Sequence, residues 1–110
     1  MSDFIGKHVL IGITFKNGKG EVVEHVQTHG RIVAVEDKGI SVEKADGSGN
    51  FGLPPGTQWL KPAPPGDYRL KSTGEVVVNP DFLTQWTLEE SRPENLEAYK
   101  ARGFSPFNPN

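Results

Sequence analysis

Three histidines, His8, His25 and His29, are the side chains able to titrate near neutral pH. The stretch HVQTH sets His25 and His29 four residues apart. On a helix that spacing places two imidazoles on one face, as zinc sites require. The flanking sequence reads instead as a strand, whose rise separates the rings by roughly 13 Å, too far for one ion. His8 can join one of them only across strands. Structural zinc normally takes four ligands, so no metal site is expected.

Asp67, Arg69, Glu75 and Asp81 gather around a second hairpin. Paired carboxylates do acid–base work only at a set separation in a water-poor cleft. These sit beside glycine and proline turns, where Asp caps backbone N–H groups. Ser72-Thr73-Gly74 has no nucleophile-elbow pattern, and NGKGE (17–21) lacks the closing Lys-Ser/Thr of a phosphate loop. No catalytic residue and no cofactor are expected, and a small enzyme or ligand-binding barrel built around the histidines, Asp67 and Glu75 is the lesser alternative. An interaction site is the better reading. Proline segments run on the surface, so Trp59, within LPPGTQWLKPAPPG (53–66), is a candidate contact residue with Tyr68, and Arg31 and Arg69 are the candidate basic contacts. Trp86, Phe51 and Phe82 read as core. Pro62 and Pro65 make a formal PxxP without a flanking basic residue, so the segment reads as a connector with fixed φ angles, and GTQWL as a 3₁₀ turn.

The elements that position these residues are mostly strands. Val9, Ile11, Ile13 and Phe15 alternate, and Asn17-Gly18 signals a hairpin. The next run, EVVEHVQTHGRIVAVE, changes phase: Val22 and Val26 share a face, whereas Val33 and Val35 have the opposite parity. That shift needs a bulge or bend, and Gly30 is placed for one. Ile40 and Val42 point inward, Phe51 and Leu53 make a short strand, and Tyr68 and Leu70 pair with Val76 and Val78. Phe82, Leu83, Trp86 and Leu88 form a last strand or a packed loop. In SRPENLEAYKARG, Ser91 and Glu94 have capping-box spacing, Pro93 suits a first turn, and Gly103 ends the helix.

The pattern predicts an all-β fold: a small SH3-like barrel of five to six strands with a bent second strand and a short C-terminal helix. Residues 1–90 make the barrel, and 91–110 the helix and a mobile tail. IGKHVLIGITF, HGRIVAVEDKGISVE, FGLPPG and PAPPGDYRLKSTGEVVVNPDFLTQWT resemble a widespread family of small bacterial proteins with an SH3-like or Sm-like barrel. The resemblance implies a small β-barrel and carries no activity with it.

The chain has 110 residues, net charge −2 and no cysteine, which excludes disulfides and thiolate chemistry. No apolar run approaches the ~20 residues of a membrane span, and the N-terminus lacks a signal-peptide pattern. A cytoplasmic protein with an unidentified protein partner is expected, as a monomer or weak homo-oligomer. Acids lie among the basic residues, so nucleic acid is allowed by the fold but not favoured by the charge.

Overall fold

Alternation builds the centre of the molecule. In β1 (His8–Lys16), Val9, Ile11, Ile13 and Phe15 point to one face and are buried. Branched and aromatic side chains suit such a surface. This computed structural model describes residues 4–71, 73–89 and 92–103. Ser91, read as a helix cap, and the 104–110 tail lie outside the described residues.

The turn after β1 is set by Asn17, whose Oδ1 accepts from the backbone N–H groups of Lys19 and Glu21. Gly20, not Gly18, takes the left-handed φ of 82°. The loop is therefore longer than the two-residue turn that Asn17-Gly18 signals. β2 (Val22–Glu36) then runs antiparallel to β1 and on to β3 (Gly39–Lys44), which pairs with β4 (Asn50–Leu53). The phase change in β2 is a register shift between Ile32 and Ala34, which leaves Val33 exposed. Gly30 is not that bulge. It serves close approach: a Cβ there would collide with the Glu43 carbonyl of β3.

The proline segment holds a 3₁₀ turn at Thr57–Trp59 and then a two-residue strand, β5 (Lys61–Pro62), which the sequence reading missed. Next come β6 (Asp67–Arg69) and β7 (Val76–Val78), a hairpin with Tyr68 opposite Val77. The expected pairing of Tyr68 and Leu70 with Val76 and Val78 is shifted by one residue, with Arg69 opposite Val76, and Val76 and Val78 are exposed. Val77 is 2% exposed and Val78 58%. A run of three valines carries no parity of its own, so the hairpin register decides which one turns inward. β8 (Phe82–Glu89) is a strand, parallel to β1, and β5 pairs with its first two residues. α1 (Pro93–Arg102) follows, with Gly103 as its C-cap at φ 78°.

The main sheet has the order β4-β3-β2-β1-β8-β5, and β6-β7 form a second sheet. β4 and β5 are its ends and do not pair with each other, so the sheet is open and the expected closed barrel is not formed. The fold is all-β with one short helix. On one face, Val9, Ile11, Ile13 and Phe15 pack with Ile32, Ile40, Val42, Phe51, Leu53, Leu60 and Leu96 in the main core. On the other face, Leu10 packs with Leu70 and Val77 of the hairpin, flanked by Tyr68 and Leu83. The hairpin expected to complete a barrel thus covers the outer face instead. No helix among the described residues is long and apolar enough to cross a membrane.

Candidate functional site

The outer face follows from strand register. Across β2, β1 and β8 it presents the rows His29–Leu10–Leu83, Gln27–Gly12–Gln85 and His25–Thr14–Thr87. The β6–β7 hairpin sits on the first row. The other two rows stay open and form a groove of about 330 Å3, walled on one side by Lys71. The Lys71 backbone N–H donates to Gln27 Oε1 at 2.6 Å, which holds one amide of the row in place. Gly12 leaves bare backbone at the centre. A smaller hollow of about 150 Å3 adjoins it, bordered by Tyr68, Arg69, Leu10 and Leu83.

Beside the same turn of the hairpin three titratable groups form a chain. His29 Nε2 lies 2.7 Å from Glu75 Oε2, and His29 Nδ1 lies 2.8 Å from His8 Nε2. With neutral His29 donating to the carboxylate, its Nδ1 accepts from His8 Nε2–H. With His29 doubly protonated, Nδ1 donates and His8 accepts. The ring–ring bond survives one imidazolium but not two, because two N–H groups would then face each other. Burial lowers the His8 pKa from its ordinary value, helped by neighbouring His29 and Arg31, against the opposing pull of Asp81 and Glu75. Asp81 also accepts the His8 backbone N–H at 2.8 Å, which ties down the start of the strand. The chain is linear: Glu75 and His8 bind opposite nitrogens of His29. Among the described residues, no group of three or more His, Cys, Asp or Glu is placed to hold a metal ion.

In the groove, Thr14 Oγ1 lies 3.1 Å from His25 Nδ1, a hydroxyl–imidazole pair. A triad would add a carboxylate orienting that imidazole, and none is bonded to His25 among the described residues. What the groove offers is hydrogen bonding: two amides, two hydroxyls, an imidazole and exposed glycine backbone.

The residues singled out in the sequence fall in three places. Arg31 stands opposite His8 and donates from Nη1 to the Gly6 carbonyl at 3.0 Å. Tyr68 and Arg69 share β6 beside the smaller hollow, and the Tyr68 hydroxyl donates to the Pro64 carbonyl at 2.6 Å. Trp59 is 47% exposed with its ring 5.3 Å from that of Trp86, which packs with the main core. Trp59 and Tyr68 are therefore not brought to one surface. His25 and His29 stay apart on one strand, while His8 reaches His29 across the sheet. Sequence reading missed Gly12, Gln27 and Gln85. The available signal was a glycine in the middle of a strong strand, which marks a bend, a hollow or a close approach.

The chain matches no protein-family model, no curated protein and no solved structure. The functional reading rests on the geometry, and the family resemblance of its motifs remains an expectation.

Proposed function

We propose that the protein is a non-enzymatic protein-interaction module whose recognition surface is the glycine-floored groove on the outer face. The observation behind this reading is the row Gln27–Gly12–Gln85, where two amides flank bare backbone in an open groove. Neutral donors and acceptors of this kind suit polypeptide, which carries the same groups along its main chain. Strong positive charge, the footprint of phosphate binding, is not a feature of the lining: Lys71 is the one Lys or Arg among its residues.

Gly12→Val tests the reading. A Cβ at position 12 meets only Gln85 Cγ, at 3.8 Å, and valine favours strands, so the fold is kept while the groove fills. Wild type and variant are immobilised and exposed to extract from the source cells. The expected result is a protein partner recovered at least ~10-fold better by wild type, with equal melting temperatures. Equal recovery by both overturns the proposal. So does retention of nucleic acid that elutes steeply with salt.

A further inference from the structure

β8 has an edge that nothing among the described residues pairs. β5 covers only Phe82 and Leu83, and the chain then leaves the sheet through the 3₁₀ turn. Which backbone groups face that edge follows from hydrogen-bond parity. The Ala63 N–H donates to the Asp81 carbonyl at 3.1 Å, and Pro62, which has no N–H, stands opposite Phe82. Bonded pairs alternate in an antiparallel ladder, so Leu83 bonds toward β5, and Gln85, Thr87 and Glu89 point the same way. The β1 ladder gives the same answer. The Ile32 N–H donates to the Lys7 carbonyl, so odd residues of β1 face β2 and even ones face β8. In a parallel pair this turns Phe82, Thr84, Trp86 and Leu88 toward β1, and again leaves Gln85 and Thr87 outward.

Two different surfaces flank this edge. On the core side stand Trp86 and half-exposed Trp59, ring against ring. On the outer side lies the groove, where Lys71 and His25 are the titratable lining groups and no carboxylate lines it. Resting on the groove as the recognition surface, we propose that a partner segment adds to the sheet as a strand along the Gln85–Glu89 edge. Its side chains alternate, apolar toward Trp59 and Trp86 and acidic toward the groove. Main-chain bonds to Gln85 and Thr87 supply affinity, and the two flanking surfaces supply specificity. A second copy of this chain fits less well. Its own β8 would turn Gln85, Thr87 and Glu89 to that face, a single carboxylate where an alternating acidic strand offers one at every second residue.

The probe is a fluorescein-labelled peptide of about ten residues alternating valine with glutamate, the length of a typical strand with short flanks. Binding is read by anisotropy, and edge formation by exchange of the Gln85 and Thr87 amides. Saturable binding is expected, with both amides becoming protected. Methylating two alternate peptide nitrogens should weaken binding by ~10-fold or more, and lysine in place of glutamate should weaken it by a similar factor. Thr87→Pro should abolish binding while the fold holds, because the Thr87 N–H takes no part in the β1 ladder and proline is tolerated on an edge. If that variant melts early, the methylated peptide on wild-type protein carries the test. Absence of saturable binding up to ~1 mM, the weak end of specific recognition, overturns strand addition. Binding lost in Gly12→Val yet indifferent to methylation also overturns it, while leaving the groove reading intact. A homodimer in light scattering that Thr87→Pro dissolves assigns the edge to a second copy and overturns the proposal.

Discussion

Thr84 holds a hydroxyl on the core face of β8, 2% exposed and with no hydrogen-bond partner among the described residues. Its Cα partner on β1 is Ile11, itself buried. A buried hydroxyl without a partner loses its water and gains nothing in return. Thr84→Val keeps the shape and removes the polar atom, so it should raise stability by about 1 kcal/mol in urea unfolding. His8 makes the opposite kind of contribution, one that depends on pH. Its folded pKa lies below the ordinary 6.5, chiefly through burial. Between the folded value and 6.5 the unfolded chain binds a proton that the folded chain refuses. The His8 contribution is therefore complete above pH 6.5 and falls away as pH drops through the window beneath it. Urea midpoints measured from pH 8 to 5 should decline with acid, and His8→Gln should flatten that decline while still offering a hydrogen bond to His29. An equal slope in the variant would show that the burial of His8 is not linked to folding. His29 and Glu75 stay in place in that comparison, so the difference in slope reports position 8.

Among the elements, β2 shows what phase analysis can and cannot place. The parity change between Val26 and Val35 was legible, because one strand cannot turn residues of opposite parity to the same face without an extra residue. Its position was not. Val33, Ala34 and Val35 are all apolar, so the sequence cannot say which of them leaves the ladder, whereas Gly30 draws attention for a different reason. Gly30→Ala should cost about 2 kcal/mol or more, because the clash is with the Glu43 backbone and not with a side chain that can rotate away. A drop of roughly 10 °C in melting temperature is the matching observation. The hairpin offers a paired test. Val77→Ala removes buried methyl groups facing Leu10 and Leu70 and should cost about 2 kcal/mol, whereas Val78→Ala on the exposed side should stay within about 0.5 kcal/mol. Equal effects would mean the hairpin register is wrong. The candidate site divides along the same line. Titratable residues drew notice in the sequence, and His8, His29 and Glu75 do meet in the fold. The groove is made of glycine, glutamine and threonine, whose chemistry appears only once register sets them side by side.

At the scale of the whole molecule, local signals gave the neighbours and missed the closure. Hairpin turns report pairs adjacent in sequence, which fits β1–β2, β2–β3, β3–β4 and β6–β7. The parallel pairing of β1 with β8 has no local signal, since its partners lie at opposite ends of the sheet region, and the sheet is open because its end strands β4 and β5 do not pair. An open sheet needs a cover for its concave core, and α1 supplies part of it. A helix of ten residues is marginal alone in water, so its order comes from docking. Leu96 is buried in the main core, and the Tyr99 ring lies 5.6 Å from that of Phe15. Lys44 Nζ donates to the Ala101 carbonyl at 2.7 Å, where a cation also meets the negative end of the helix dipole. Lys100 Nζ lies 2.6 Å from the Glu24 carboxylate on β2, and Gly103 bridges to Gly52 of β4, where a side chain would strike the backbone. A chain ending at Glu90 loses all of these at once and uncovers Phe15 and Phe51. The burial of Leu96 and Tyr99 alone predicts a loss of about 3–4 kcal/mol in urea unfolding. The truncated chain should keep its β-sheet signal in circular dichroism, bind a hydrophobic dye, and gain mass in light scattering as the uncovered apolar face finds a neighbour. An unchanged midpoint and an unchanged mass would show that the sheet buries its core without the helix, and that α1 is an appendage to the fold.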